Sequence, residues 1–172
     1  MKSSPNYQRG SQSQLKPDPA SPLIRGLVGL AVVCAIAPLL IFLWLLPTLP
    51  DYVPMHWNFA GEVDSYAPPV MMVWLPVLLL LLAVGLLVIV RWPQATNTPW
   101  EPVTEAGWQE YYVVNRLFVV FMSFCVTALN FVMTYSVVGL LSIQWCWAVL
   151  GVALIGIAVL IWRTYVIAHR LT

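Results

Sequence analysis

The sequence predicts an all-α membrane protein, a four-helix transmembrane bundle with one short extracytoplasmic loop and both termini in the cytoplasm. Composition is the first reason for this prediction. Of the 172 residues, 60% are hydrophobic and only 9% are charged, whereas a soluble domain carries roughly 25% charged residues. A soluble fold could not cover that much apolar surface, so we expect most of the chain to lie in a lipid bilayer.

Three long stretches without a charged residue place the spans. They cover residues 26–50, 65–90 and 117–162. A helix needs about 20 apolar residues to cross about 30 Å of hydrocarbon, so the first two stretches hold one span each. The third holds two spans with a polar break at Ser142 to Gln144, and none alternates as barrel strands do. We expect spans at about residues 23–46, 70–90, 117–141 and 145–162.

The basic residues predict the orientation of the bundle. If the chain crosses the membrane four times, all eight Lys and Arg residues fall on the same side. Positive charge is retained on the cytoplasmic side of a membrane. The sequence therefore predicts a protein of the cell membrane with a cytoplasmic loop at 91–116, an extracytoplasmic loop at 47–69, and both termini inside.

Two segments outside the spans have a distinct composition. Residues 1–22 are rich in Ser, Gln and Pro and poor in apolar side chains, which predicts a disordered cytoplasmic tail in front of a membrane domain at 23–172. We expect any contact of the four basic residues up to Arg25 with anionic lipid to be weaker than that of a clustered polybasic site, because they are spread over 25 residues. Residues 92–112 combine prolines with Trp and Tyr, which predicts an irregular connector at the membrane interface.

The loop at 47–69 is predicted to form a small hairpin over the outer mouth of the bundle. Val53 to Trp57 should be extended, because Pro54 fixes its own φ and biases Val53 away from helix. Asn58 to Gly61 has the residue types of a turn. The chain would then return toward the membrane from Glu62.

The same loop contains the cluster best suited to acid–base or metal chemistry, formed by His56, Glu62 and Asp64. The spacing does not match a helical zinc motif, although a hairpin could bring His56 opposite Asp64. We predict no metal site, no cofactor and no catalytic residue, and interpret the loop as a recognition or structural element. Metal catalysis and pH sensing remain alternatives, since histidine changes charge near neutral pH. The predicted recognition loop comprises His56, Trp57, Asn58, Gly61, Glu62 and Asp64.

A polar stripe is predicted along the third span. Its members are spaced by three, four or seven residues, which places them within about 60° of one another around a helix. A polar amide near mid-membrane must find a partner, so the stripe should face other helices. The alternative is a hydrophilic path or a binding groove. The stripe comprises Arg116, Ser123, Thr127, Asn130 and Thr134.

The loop also carries a family resemblance. After a first span that ends in Leu-Pro, the shared pattern places Val-Pro, a histidine, an aromatic residue, Asn, Gly and two acidic residues at fixed spacing. Over about residues 35–75 the chain resembles the N-terminal domain of unknown function in the SdpI family of bacterial membrane proteins, named for immunity against a secreted killing factor. The residues that carry the resemblance are Leu49, Pro50, Val53, Pro54, His56, Trp57, Asn58, Gly61, Glu62 and Asp64.

The resemblance implies a non-enzymatic integral membrane protein of the bacterial envelope. Its outer loop would confer immunity to a toxin peptide or sense a signal. A small transporter or transporter subunit using the polar stripe is one alternative, and a metal-dependent membrane enzyme is another. The expected partners are the lipid bilayer and a secreted peptide or another membrane protein. No nucleic-acid partner is expected.

Overall fold

The computed structural model describes residues 15–96, 102 and 104–169. Its four long helices are α1 (Pro22–Leu45), α2 (Trp74–Ile89), α3 (Glu105–Val137) and α4 (Trp145–His169), and its two short strands are β1 (Val53–Trp57) and β2 (Val63–Ala67). All four helices are long and apolar enough to cross a membrane, α1 and α2 when their adjoining 3₁₀ turns are included. The predicted four-helix membrane bundle is therefore confirmed, whereas its orientation remains a prediction.

The third helix begins earlier than the sequence analysis placed it. The predicted cytoplasmic loop ran to residue 116 and was expected to be irregular as far as Tyr112, but α3 starts at Glu105. The hydroxyl of Thr104 accepts a hydrogen bond from the Gly107 amide at 3.1 Å, which caps the helix. The rings of Trp108 and Tyr112 then pack 5.9 Å apart at helical spacing. The aromatic residues interpreted as an interfacial connector are thus the first turns of α3.

Part of the predicted disordered tail is ordered against α3. Residues 1–14 lie outside the described part of the chain, but residues 15–20, which we call the strap, lie along the start of this helix. Gln109 accepts from the Asp18 amide at 2.9 Å and donates to the Lys16 carbonyl at 3.1 Å. Tyr112 donates to the Leu15 carbonyl at 3.3 Å. Composition did not reveal these bonds because their partners are far apart in sequence.

α3 lies at the centre of the bundle and packs against all three other helices, whereas α4 packs chiefly against α3. Ala31 and Ala35 of α1 are 0% exposed, and such small residues allow helices to approach closely. A Cβ at Gly156 of α4 would collide with the ring of Phe121 on α3, while Gly151 has open space around it. Small residues, among them Ala31, Ala35 and Gly156, therefore lie where the helices approach closely.

Candidate functional site

The hairpin predicted between the first two spans is confirmed. β1 and β2 pair antiparallel, with Val53 opposite Ala67 and Trp57 opposite Val63, and the register is irregular between Pro54 and Trp57. Val53 is 1% exposed and packs in a cluster with Phe42, Met72, Leu75 and Val137. The base of the hairpin is thus fixed to α1, α2 and α3 by apolar contacts.

The turn of the hairpin is held by Asn58. Its side-chain oxygen accepts from the amides of Ala60 at 2.9 Å and Glu62 at 3.0 Å. Its side-chain nitrogen donates to the Glu62 carboxylate at 3.0 Å. Gly61 has φ +83°, a conformation that favours glycine. Asn58, Gly61 and Glu62 therefore shape the turn.

His56 and Asp64 face each other across the two strands. The Nδ1 atom of His56 lies 2.6 Å from Oδ1 of Asp64, and the two side chains are 66% and 46% exposed. Glu62 is directed to Asn58 and not to this pair. Within the described residues no three His, Cys, Asp or Glu side chains are grouped closely enough to hold a metal ion. The pair braces the hairpin on its exposed side.

A groove of about 310 Å³ lies between the hairpin and the ends of α3 and α4. The hairpin contributes residues from His56 to Gly61, and the helices contribute apolar side chains that include Met133, Trp147 and Leu150. Gln144, in the link between α3 and α4, donates to the Ala60 carbonyl at 3.1 Å. This bond fastens the turn to the link between the two helices.

Phe59 stands at the tip of the turn and is 96% exposed. Neither Phe59 nor Gln144 was predicted to be a site residue. Phe59 could have been selected from the sequence, because an aromatic residue in the middle of a predicted turn is expected to be exposed. Nothing in the sequence pointed to Gln144, because its contact with the hairpin depends on how α4 packs.

Residues 33–81 match a domain of unknown function, DUF1648. The DUF1648 match begins in α1, contains the whole hairpin and ends in α2, so it covers the residues that carry the SdpI resemblance. It assigns no activity and does not name the SdpI proteins. No curated protein and no solved structure matches the chain.

The polar stripe lies outside the DUF1648 match and inside the bundle. All five stripe residues are buried, between 0% and 5% exposed. Ser123 donates to the Ala83 carbonyl at 3.0 Å and Asn130 donates to the Pro76 carbonyl at 3.1 Å, so both bind α2. Thr134 donates to the Asn130 side-chain oxygen at 3.4 Å. The stripe packs between helices, as predicted.

Thr127 is the exception within the stripe. Its hydroxyl is buried and has no hydrogen-bond partner among the described residues.

Ser123 and Asn130 both donate to backbone carbonyl oxygens of α2. A carbonyl oxygen has two lone pairs, so it can accept such a bond in addition to the hydrogen bond within its own helix. The stripe therefore joins α3 to α2 without breaking the helix hydrogen bonds of α2.

Proposed function

We propose that the protein is a non-enzymatic integral membrane protein of the bacterial envelope whose DUF1648 hairpin recognises a secreted peptide and protects the cell from it. The observation that carries this proposal is Phe59, an almost fully exposed aromatic residue on a turn fixed by Asn58 and Gln144. Binding energy at interfaces is concentrated in a few anchors, and aromatic residues are frequent among them.

The rigidity of the turn supports recognition over a purely structural cap. A binding loop that is already ordered loses less conformational entropy when it binds. The groove beside Phe59 is mostly apolar, with the aromatic ring of Trp57 on the hairpin side and His56 and Asn58 as its polar groups, which suits a peptide that presents apolar side chains. The predicted orientation puts this face outside the cell, and the SdpI resemblance supplies the ligand class, a secreted killing factor.

A growth assay tests the proposal. The full chain is expressed in a bacterial strain sensitive to the killing factor of the SdpI systems, and the peptide concentration that halves growth is measured. We expect the chain to raise this concentration. Phe59→Ala should remove most of the effect, since truncating an anchor costs about 2 kcal/mol, or roughly 30-fold in affinity.

Trp162→Ala is the matched control, because Trp162 is also an exposed aromatic residue, at 61%, and lies near the opposite end of α4. Membrane levels of each variant are compared by immunoblotting. Protection that is absent in the parent chain, or unchanged in Phe59→Ala at equal membrane levels, would refute the proposal. Binding of the peptide without protection would favour signal sensing by the same hairpin.

The two alternative functions have direct tests. A transporter using the stripe requires water at Thr127 and Asn130, so single cysteine substitutions there should react readily with a water-soluble maleimide. A metal-dependent enzyme requires a hairpin metal, so the purified chain should contain zinc that His56→Ala removes. Unreactive cysteines and zinc-free protein would leave recognition as the supported function.

A further inference from the structure

A second cavity lies at the opposite end of the bundle from the hairpin. It has a volume of about 910 Å³ and is bordered by the strap, α1, the end of α2 and Arg116 of α3. Its lining includes four basic residues that are distant in the sequence, together with one carboxylate, that of Asp18. The basic residues are Lys16, Arg25, Arg91 and Arg116.

Arg116 lies in this lining and is only 5% exposed. Its Nε donates to the Val90 carbonyl at 3.3 Å, and its Nη1 donates to the backbone carbonyl of Asp18 at 2.7 Å. Neither hydrogen-bond acceptor is charged, and neither ion pair found in the described residues involves Arg116, although the Asp18 carboxylate attracts its guanidinium. A buried cation is costly unless an opposite charge compensates it. The cavity therefore has an excess of positive charge.

The apolar part of the lining indicates the kind of anion that fits. Ile24 and Val28 of α1 form one wall, and Leu87 and Val90 at the end of α2 form another. A free inorganic anion gains nothing from such walls. A phospholipid presents a phosphate together with acyl chains, and basic pockets between spans are known sites for anionic headgroups.

We propose that this cavity binds the headgroup phosphate of an anionic phospholipid, with Arg25, Arg91 and Arg116 as its ligands and an acyl chain along the helix walls. The strap completes the site, because the bond from Arg116 to Asp18 and the bonds from Gln109 hold Lys16 beside the cavity. This inference concerns the end of the bundle away from the hairpin and is independent of peptide recognition.

Thermal unfolding of the detergent-purified full chain tests the proposal. Short-chain phosphatidylglycerol is titrated in, with phosphatidylcholine of the same chain length and inorganic phosphate as comparison ligands. We expect phosphatidylglycerol alone to raise the unfolding temperature in a saturable way, because a ligand that binds only the folded state stabilises it. The shift should decrease as salt screens the charges.

Substitutions of the lining residues test whether the lipid-dependent rise in unfolding temperature comes from binding in the cavity. Arg25→Gln and Arg91→Gln remove exposed charges, so they should fold and should each weaken apparent lipid affinity about fivefold. Asp18→Asn removes the carboxylate in the lining and should strengthen binding. Arg163→Gln is the matched control, because Arg163 is a basic residue outside this cavity and is paired with Glu110 at 3.2 Å.

Three outcomes would overturn the proposal. An equal shift with phosphatidylcholine would show that charge is not recognised. An equal shift with inorganic phosphate would show that the site takes a free anion and not a lipid. An equal loss of affinity in Arg163→Gln, Arg25→Gln and Arg91→Gln would show a general effect of surface charge.

Discussion

The chain has two polar clusters whose surroundings are opposite. The stripe on α3 is buried between helices, with Asn130 at 1% exposure, and its bonds to α2 join two spans. The hairpin cluster is held by bonds within the hairpin, but His56 and Asp64 are 66% and 46% exposed. One cluster fixes the membrane bundle, and the other fixes a loop that projects from it.

This difference in exposure determines how a substitution in the stripe or in the hairpin affects the protein. In lipid, a polar group that loses its partner has no water to replace it, so changes in the stripe should act on stability. At the exposed hairpin, water replaces a lost partner at little cost. Loss of a side-chain bond there should act on recognition and leave the fold intact, whereas a backbone change in the turn, as at Gly61 with its positive φ, should still cost stability. Four substitutions, taken from the largest expected effect on stability to the smallest, test this contrast.

Asn130→Asp should have the largest effect. A carboxylate in place of the amide would have to be buried between α3 and α2, where Asn130 is 1% exposed, and could no longer donate to the Pro76 carbonyl. We expect a loss of about 3 kcal/mol in the free energy of unfolding, measured in mixed detergent micelles at pH 8. Thr127→Val is the control, because it removes a hydroxyl that has no partner among the described residues, and it should be neutral or stabilising. Equal stability of Asn130→Asp and the parent chain would mean that water reaches the stripe.

Gly61→Ala should have the next largest effect and act on the hairpin turn. Gly61 and Gly139 both have positive φ. A Cβ added at Gly61 would lie 3.1 Å from the Gln144 side chain, whereas a Cβ added at Gly139 would have no atom within 4 Å. The conformation alone costs roughly 1–2 kcal/mol. Gly61→Ala should therefore expose the hairpin to limited proteolysis more than Gly139→Ala exposes the end of α3. Equal sensitivity of the two variants would show that the Gln144 contact contributes nothing.

Ser123→Ala should cost less, because it removes a single bond between helices. Bonds of this kind in membrane proteins contribute about 0.6 kcal/mol. Ser136→Ala is its control, since Ser136 donates at 2.8 Å to the Val132 carbonyl within its own helix and such a bond does not join helices. We expect only Ser123→Ala to lower the free energy of unfolding. If Ser136→Ala lowered the free energy of unfolding more than Ser123→Ala does, bonds between α3 and α2 would not be the source of the stability.

Asp64→Asn should have the smallest effect on stability. Exposed ion pairs contribute less than about 1 kcal/mol, and both side chains of this pair are more than 40% exposed. The unfolding free energy should change by less than about 0.5 kcal/mol. A loss as large as that of Asn130→Asp would mean that the hairpin pair supports the bundle itself.

Much of the architecture follows from local sequence properties. Charge-free stretches predicted four spans because hydrocarbon excludes charge along any helix that crosses it. The polar stripe was predicted for a related reason, since Asn130 and Ser123 share one face of a regular helix whatever its neighbours are. Pro54, Asn58 and Gly61 restrict their own backbone, and for that reason the hairpin and its turn could be predicted from residues only a few positions apart.

The sequence by itself therefore determined the membrane class, the number of spans, the buried face of α3 and the hairpin. Only the tertiary structure decided which distant groups meet. Gln144 reaches Ala60, and Arg116 joins Arg25 and Arg91 around one cavity, because α3 lies between the other helices and the strap folds back along it. Such contacts depend on packing between segments that are far apart in the chain, and composition, periodicity and spacing within a segment carry no information about them.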